Sequence, residues 1–192
     1  MTGARNGTGK RDGATRERLL DATVEVMLDE GYAAATSRRV AERAGVRRAL
    51  VHYYFPTMDE LFLAVLRRGS QANLQVQRQA LSGDAPLRAL WEMTADPRGA
   101  RLVMEFMALG NHRKAIRAEL AAGAAQFREA QVAALSVILR GRGEAPPAEV
   151  LSVVLAAIGR VLVIEQGLGI EIGHAATREL FEGYLSALEP RG

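Results

Sequence analysis

Cysteine is missing from all 192 residues, which excludes disulfides and thiolate metal ligation. Aromatic residues are scarce, at 5%, while alanine, leucine, arginine and glutamate dominate, a balance that points away from sheet folds and towards an all-α protein. Long apolar runs are also lacking. The best candidate, residues 150–172, is interrupted by Arg160, Glu165 and Gln166, and its longest uncharged part is too short to cross a bilayer. The opening residues, MTGARNGTGKRDG, contain no apolar core of the kind a secretory signal needs. A cytoplasmic location without a membrane partner is therefore expected. Catalytic signatures are equally thin. The three histidines, His52, His112 and His174, show no metal-ligand spacing, and no serine sits in a nucleophile-elbow motif. The glycines of residues 167–173 follow a helix pattern rather than a strand and have the wrong spacing for a dinucleotide loop. Neither an enzyme nor a cofactor or metal is expected.

What the chain does have is a 48% hydrophobic content and enough length for a sizeable core. Its charge is uneven. Residues 1–56 hold ten Lys+Arg against seven Asp+Glu, whereas residues 57–192 hold fifteen of each, so the whole excess of +3 lies in the first part. A basic N-terminal domain on a neutral body is the footprint of a nucleic-acid reader with a second function elsewhere.

Residues 36–61, TSRRVAERAGVRRALVHYYFPTMDEL, are the centre of the chain. A short helix is predicted over 37–44, capped by Thr36 or Ser37 and broken by Gly45, with a second over 47–54. Small or apolar residues at Val40, Ala41, Ala44, Val46, Leu50, Val51 and Tyr54 let two helices cross closely around a glycine turn, the helix-turn-helix arrangement. The outer face carries Arg38, Arg39, Arg43, Arg47 and Arg48 against a single acid, Glu42. Guanidinium, tyrosine and histidine groups on a short exposed helix suit phosphates and major-groove base edges.

This stretch and its flanks resemble the N-terminal domain of TetR-family transcriptional regulators. The resemblance covers about residues 15–66 and rests on RLLDATVEVMLDEGY, VAERAGV and ALVHYYFPTMDELF in family order and spacing. It implies a homodimeric, ligand-responsive regulator, most simply a repressor released from a palindromic operator on double-stranded DNA by a small effector. A helical ligand-binding dimer without DNA function, or an activator of the same fold, are the alternatives. In helix-turn-helix docking the second helix points its N-terminal end at base edges. Arg47, Arg48, Ala49, His52 and Tyr53 are thus expected on the groove side, with Arg48 the candidate guanine reader. Thr36, Arg38 and Tyr54 are expected on phosphates, Ser37 joins the DNA-binding set, and Leu50 and Val51 are expected in the core. The chain departs from the family pattern at three places. Arg47 stands where a serine-type cap is common, His52 where a tyrosine is common, and Met58 where a lysine is frequent.

The rest divides into a flexible basic tail at 1–13, a DNA-binding domain at 14–57 and an effector-binding and dimerisation domain at 58–192. Helical spacing predicts further helices over 14–30, 58–81, 87–95, 96–110, 112–139, 148–166 and 174–188, which makes nine in all. Gly31 is expected as a left-handed cap, Thr57 with Glu60 as a capping box, and residues 141–147 as a loop. The helix over 148–166 is apolar almost all round and must be covered on every side, which a second copy of the chain would do. Val150, Val154, Ile158, Val161, Phe181, Tyr184 and Leu188 are the expected dimer contacts. A mainly apolar effector pocket is expected from Trp91, Met93, Leu102, Glu105, Phe106, Phe127, Gln131 and Glu165, because large adaptable groups with few polar handles suit varied small molecules.

Overall fold

In the computed structural model, which describes residues 5–142 and 145–189 with side chains from residue 12 onward, the described chain is helical and contains no strand. The helices are α1 (Arg5–Glu30), α2 (Ser37–Ala44), α3 (Arg48–Tyr54), α4 (Met58–Leu81), α5 (Pro86–Thr94), α6 (Pro97–His112), α7 (Lys114–Ile138), α8 (Ala148–Gly167) and α9 (His174–Leu188), with a 3₁₀ turn at Tyr32–Ala34. Two compact units form. The first contains the residues up to Arg68 together with Leu102–Leu120, and the second contains Gly69–Arg101 and the residues from Ala121 onward. The sequence-drawn boundary between 57 and 58 is therefore not where the packing divides. The first turns of α4 and the facing ends of α6 and α7 supply part of the N-terminal unit's core.

That core follows from the helical spacing. Leu19, Leu20, Val26 and Met27 on α1 meet Val40 and Ala41 on α2, Val51 on α3, and Leu61, Phe62 and Val65 on α4. Phe106 and Leu109 on α6 and Ile116 on α7 close it, with Phe106 edge-to-face on Phe62 at 6.4 Å. Each fully buried side chain of this size stabilises the unit by about 1.5–3 kcal/mol relative to exposure. The second unit has its own core, in which Leu87, Leu90 and Trp91 of α5 pack with Leu151, Leu155 and Leu162 of α8 and with Phe181, Leu185 and Leu188 of α9.

Local chemistry explains the element ends. Thr36 caps α2 by accepting from the Arg39 N–H at 3.3 Å, and Thr57 caps α4 by accepting from the Glu60 N–H at 3.2 Å. Gly45 ends α2 at φ 65°, ψ 37°, in the left-handed region, and Val46 N–H reaches back to the Ala41 carbonyl at 3.0 Å. That six-to-one bond is a Schellman closure, and it turns the chain directly into α3.

Several expectations need correction. Helix α1 begins at Arg5 rather than near Ala14, so it runs through most of the segment expected as a tail; residues 1–4 lie outside the described residues. Glycine disfavours nucleation there, but extending an existing helix fixes one residue per hydrogen bond and is far less costly. Gly31 is at φ 84°, ψ 161°, positive in φ but outside the left-handed helical region, because the chain leaves α1 extended to enter the 3₁₀ turn. Leu50 is 36% exposed rather than core, whereas Val51 is buried as expected. In the expected loop at 141–147, Gly143 and Glu144 lie outside the described residues.

Candidate nucleic-acid interface

Helix α3 has seven residues, and only Val51 among them is fully buried. The one-in-seven burial leaves an open face consisting of Arg48, Ala49, His52 and Tyr53, all exposed, with Tyr53 at 71%. Arg47 precedes the helix as its N-cap in extended conformation, without a side-chain capping bond. A serine or aspartate in this place would satisfy a helix N–H, whereas arginine leaves it open and adds a cation at the helix entrance. The sequence-predicted groove-facing residues thus share one exposed surface.

The arginines of the motif divide into two groups by their partners. Arg39 makes a forked contact with Glu30, from Nε at 2.9 Å and Nη2 at 2.8 Å, and adds Glu42 at 3.2 Å. Arg43 reaches Asp29 at 2.8 Å, Glu30 at 3.0 Å and Glu25 at 3.4 Å. These bonds raise both guanidinium pKa values above the ordinary arginine range, the leading cause being the bond that Arg39 donates to Glu30 and the one that Arg43 donates to Asp29. They also hold the Glu30 carboxyl below the usual carboxylate range, chiefly through Arg39. Two of the five motif arginines therefore fasten α2 to α1 and leave the outward charge to Arg38, Arg47 and Arg48. Apart from Glu42, one turn along α2, their partners lie on α1 across the 3₁₀ turn, at separations no helical spacing reveals.

Arg38 and Arg47 are exposed, and no side-chain bond holds them among the described residues. Arg48 differs: its Nε donates to Ser37 Oγ at 2.9 Å, and Ser37 is 6% exposed. The Tyr54 hydroxyl donates to Asp12 Oδ1 at 2.9 Å, and its edge meets Tyr53 at 5.0 Å between ring centres. Burial, seconded by the neighbouring Asp12, pushes the Tyr54 phenol up from 10.0. No sequence signal pairs Asp12 with Tyr54, because only the early start of α1 brings it alongside.

The residues expected around an effector are divided between the two units. Leu102, Glu105 and Phe106 belong to the N-terminal unit, where Phe106 is core and Glu105 Oε2 accepts from the Tyr32 N–H at 2.7 Å. Glu105 therefore satisfies the backbone of the turn after α1. Trp91, Met93, Phe127, Gln131 and Glu165 belong to the second unit. Trp91 packs against Phe181 and donates to Glu182 at 3.2 Å, and Met93 is half-buried against the same core. Phe127 is half-buried, and its carbonyl accepts from Gln77 at 3.2 Å. Gln131 accepts from Ser152, whose hydroxyl accepts from Arg128 at 3.0 Å. Of these residues Glu165 lines a partly open cleft of about 300 Å³ between α8 and α9, walled by Ile158, Val161, Leu162, Ile172 and His174. Glu165 Oε2 lies 2.7 Å from His174 Nε2 there. No spacing rule pairs those two, since the intervening loop sets their approach.

The expected dimer residues split by face. Val150 and Val161 are about half exposed, Tyr184 is 40% exposed, and Val154 and Ile158 are half-buried. Phe181 and Leu188 instead point into the chain's own core beside Trp91, a correction explained by the i, i+4, i+7 row that they form with Leu185. No described helix is long and apolar enough to cross a membrane, and no described cluster of His, Asp and Glu could hold a metal ion.

Comparison with known proteins agrees with this geometry. Residues 19–65 match the model of the bacterial regulatory proteins of the tetR family. The transcriptional activator FasR of Mycolicibacterium smegmatis is 37% identical over 99 residues, 47% of this chain and 45% of that protein. The transcriptional repressor KstR of the same organism is 37% identical over 76 residues, 39% of this chain and 37% of that protein. The chain thus spans less than half the length of these relatives. A transcriptional regulator from Saccharomonospora viridis, solved in complex with choline, has the same fold, with a TM-score of 0.70 and 20% identity over 80% of this chain and 85% of that one. The domain that the first helices form, over residues 19–65, is that of the tetR family of bacterial regulatory proteins.

Proposed function

We propose that this chain is a sequence-specific DNA-binding transcriptional repressor that works as a homodimer. The observation carrying the reading is the exposed N-terminal end of α3, where Arg47 and Arg48 stand outward on a buried two-helix frame. A short helix with cations at its leading end and only Ala49 beside them can enter a major groove about 12 Å wide without steric conflict. Arg38 and Thr36, on the flanking helix start, are placed to take phosphates. Thr36 does so with its hydroxyl already engaged as a cap.

A pair of such heads related by a two-fold axis requires a near-palindromic operator. Support for the pair comes from the apolar stripe of Val150, Val153 and Val161, each about half exposed. Release by a small, mainly apolar effector is supported by the cleft beside Glu165 and His174, whose walls are mostly aliphatic. The choline-bound regulator of the same fold supports the small-molecule part of the reading.

The test begins with selection of bound fragments from random duplex DNA, followed by titration of the selected site. Saturable binding to a near-palindrome, weakened steeply by salt, is the expected result. A protein that retained no fragment even at low ionic strength would leave only a helical ligand-binding dimer. Expression of a reporter behind the selected site then decides the sign, and a rise in transcription on adding the protein would make the chain an activator.

A further inference from the structure

Ser37 was expected to meet DNA itself. It is buried, with 6% exposure, and its hydroxyl accepts from Arg48 Nε at 2.9 Å. We infer that Ser37 is a positioning residue that sets the reading direction of Arg48, and that it acts on sequence preference without touching DNA. The inference rests on the reading of α3 as the groove helix.

The geometry favours this role for a chemical reason. Arginine reads guanine through two parallel N–H groups, and a free side chain can present either of two edges, Nε with one Nη or the two Nη groups together. A bond at Nε occupies the first edge. What remains for a base is the terminal pair of Nη groups, in a plane fixed by the serine. Arg38 and Arg47 have no such tether among the described residues. Ser37 is itself anchored, since it opens α2 directly after the Thr36 cap. The tether therefore joins the first helix of the pair to the guanidinium on the second, so that part of the ordering needed for a bidentate contact is already present before DNA arrives.

The proposal is tested with the full chain bearing Ser37→Ala, Ser37→Thr, Arg48→Ala and the double variant Ser37→Ala/Arg48→Ala. Binding is measured to the selected operator, to the same site with single base-pair changes, and to random duplex. Ser37→Ala is expected to reduce discrimination at one base pair by about tenfold, the scale of one charge-assisted hydrogen bond, with random-duplex affinity and salt slope unchanged. Ser37→Thr, which keeps the hydroxyl, is expected to restore it, and the double variant is expected to match Arg48→Ala alone. Thermal unfolding of each variant separates loss of fold from loss of reading. If Arg48→Ala flattens preference at a base pair while Ser37→Ala leaves it intact, the positioning role is refuted and groove reading stands. If Arg48→Ala changes no preference, the underlying assignment of Arg48 fails, and the proposal with it. Equal weakening of every sequence by Ser37→Ala would make the serine a structural or phosphate-binding group, which also overturns the proposal.

Discussion

Arg38 and Arg48 carry the same charge on adjoining helices, yet their surroundings predict opposite consequences of removing them. Arg38 has no tether among the described residues and sits near the start of α2, so it suits a phosphate, which every sequence offers. Arg38→Ala should weaken operator and random DNA alike and reduce the salt slope by about one charge. Arg48→Ala should cost about 1–3 kcal/mol on the operator and relax preference at one base pair. Binding isotherms on both DNAs at several salt concentrations distinguish the two, and identical behaviour of the variants would refute the division of roles. Glu30 yields a prediction about pH. Its folded pKa lies below the ordinary value of 4.5, chiefly because Arg39 bonds to it. A carboxylate of this kind contributes stability that is present above the unfolded pKa and is lost as pH falls through the folded one. Glu30→Gln should therefore be less stable than the parent at neutral pH and show a shallower loss of stability below about pH 4.5. Acid titrations followed by circular dichroism measure this, and parallel curves for parent and variant would count against it.

Between elements, α8 approaches α5 tightly at Gly159. A methyl group added at Gly159 would stand 2.6 Å from the Thr94 carbonyl oxygen and 2.8 Å from its hydroxyl. Alanine adds helix propensity of about 1 kcal/mol at such a place. The obstacle is backbone, however, and it has to move with its whole helix, at an overpacking cost of about 1–3 kcal/mol. Gly159→Ala is thus expected to lower stability on balance, with a reduced urea midpoint and an unchanged m-value. A raised midpoint would mean that α5 yields easily. Nothing in the run of residues 148–166 singled out Gly159, because its significance depends on a helix more than sixty positions earlier. The sequence was most legible where signals are local. The Thr36 cap, the Gly45 turn and the proline and glycine breaks placed most helix ends within one or two residues. It was least legible where a side chain's partner is remote. Arg39 and Arg43 read as free surface cations until α1 brought Glu25, Asp29 and Glu30 beside them. No local signal showed that Glu105 would accept from the Tyr32 N–H or that Phe106 would pack in the N-terminal core.

For the molecule as a whole, the unresolved tension in the sequence was a helix with apolar residues on every side. Within one chain α8 buries Leu151, Leu155 and Leu162 against α5 and α9, but Val150, Val153 and Val161 remain about half in water. Those three, with Ala157 between them, follow steps of three and four residues and so form one stripe along the helix. Leu180 and Tyr184, one turn apart on α9, are exposed at 77% and 40%. In the proposed dimer these groups meet their counterparts on a second copy, and DNA affinity depends on that meeting. Val161→Glu should leave the fold of each chain intact, because the position already faces solvent, but it would place two carboxylates in an apolar contact. Sedimentation at micromolar protein should then show monomers. Operator affinity should fall by about a hundredfold or more, since the second head no longer binds at the high effective concentration its linkage provides. Random-duplex binding, which needs no pairing of heads, should fall much less. A Val161→Glu protein that stayed dimeric with full operator affinity would remove α8 from the interface, and a monomer with full affinity would remove the need for a second copy altogether.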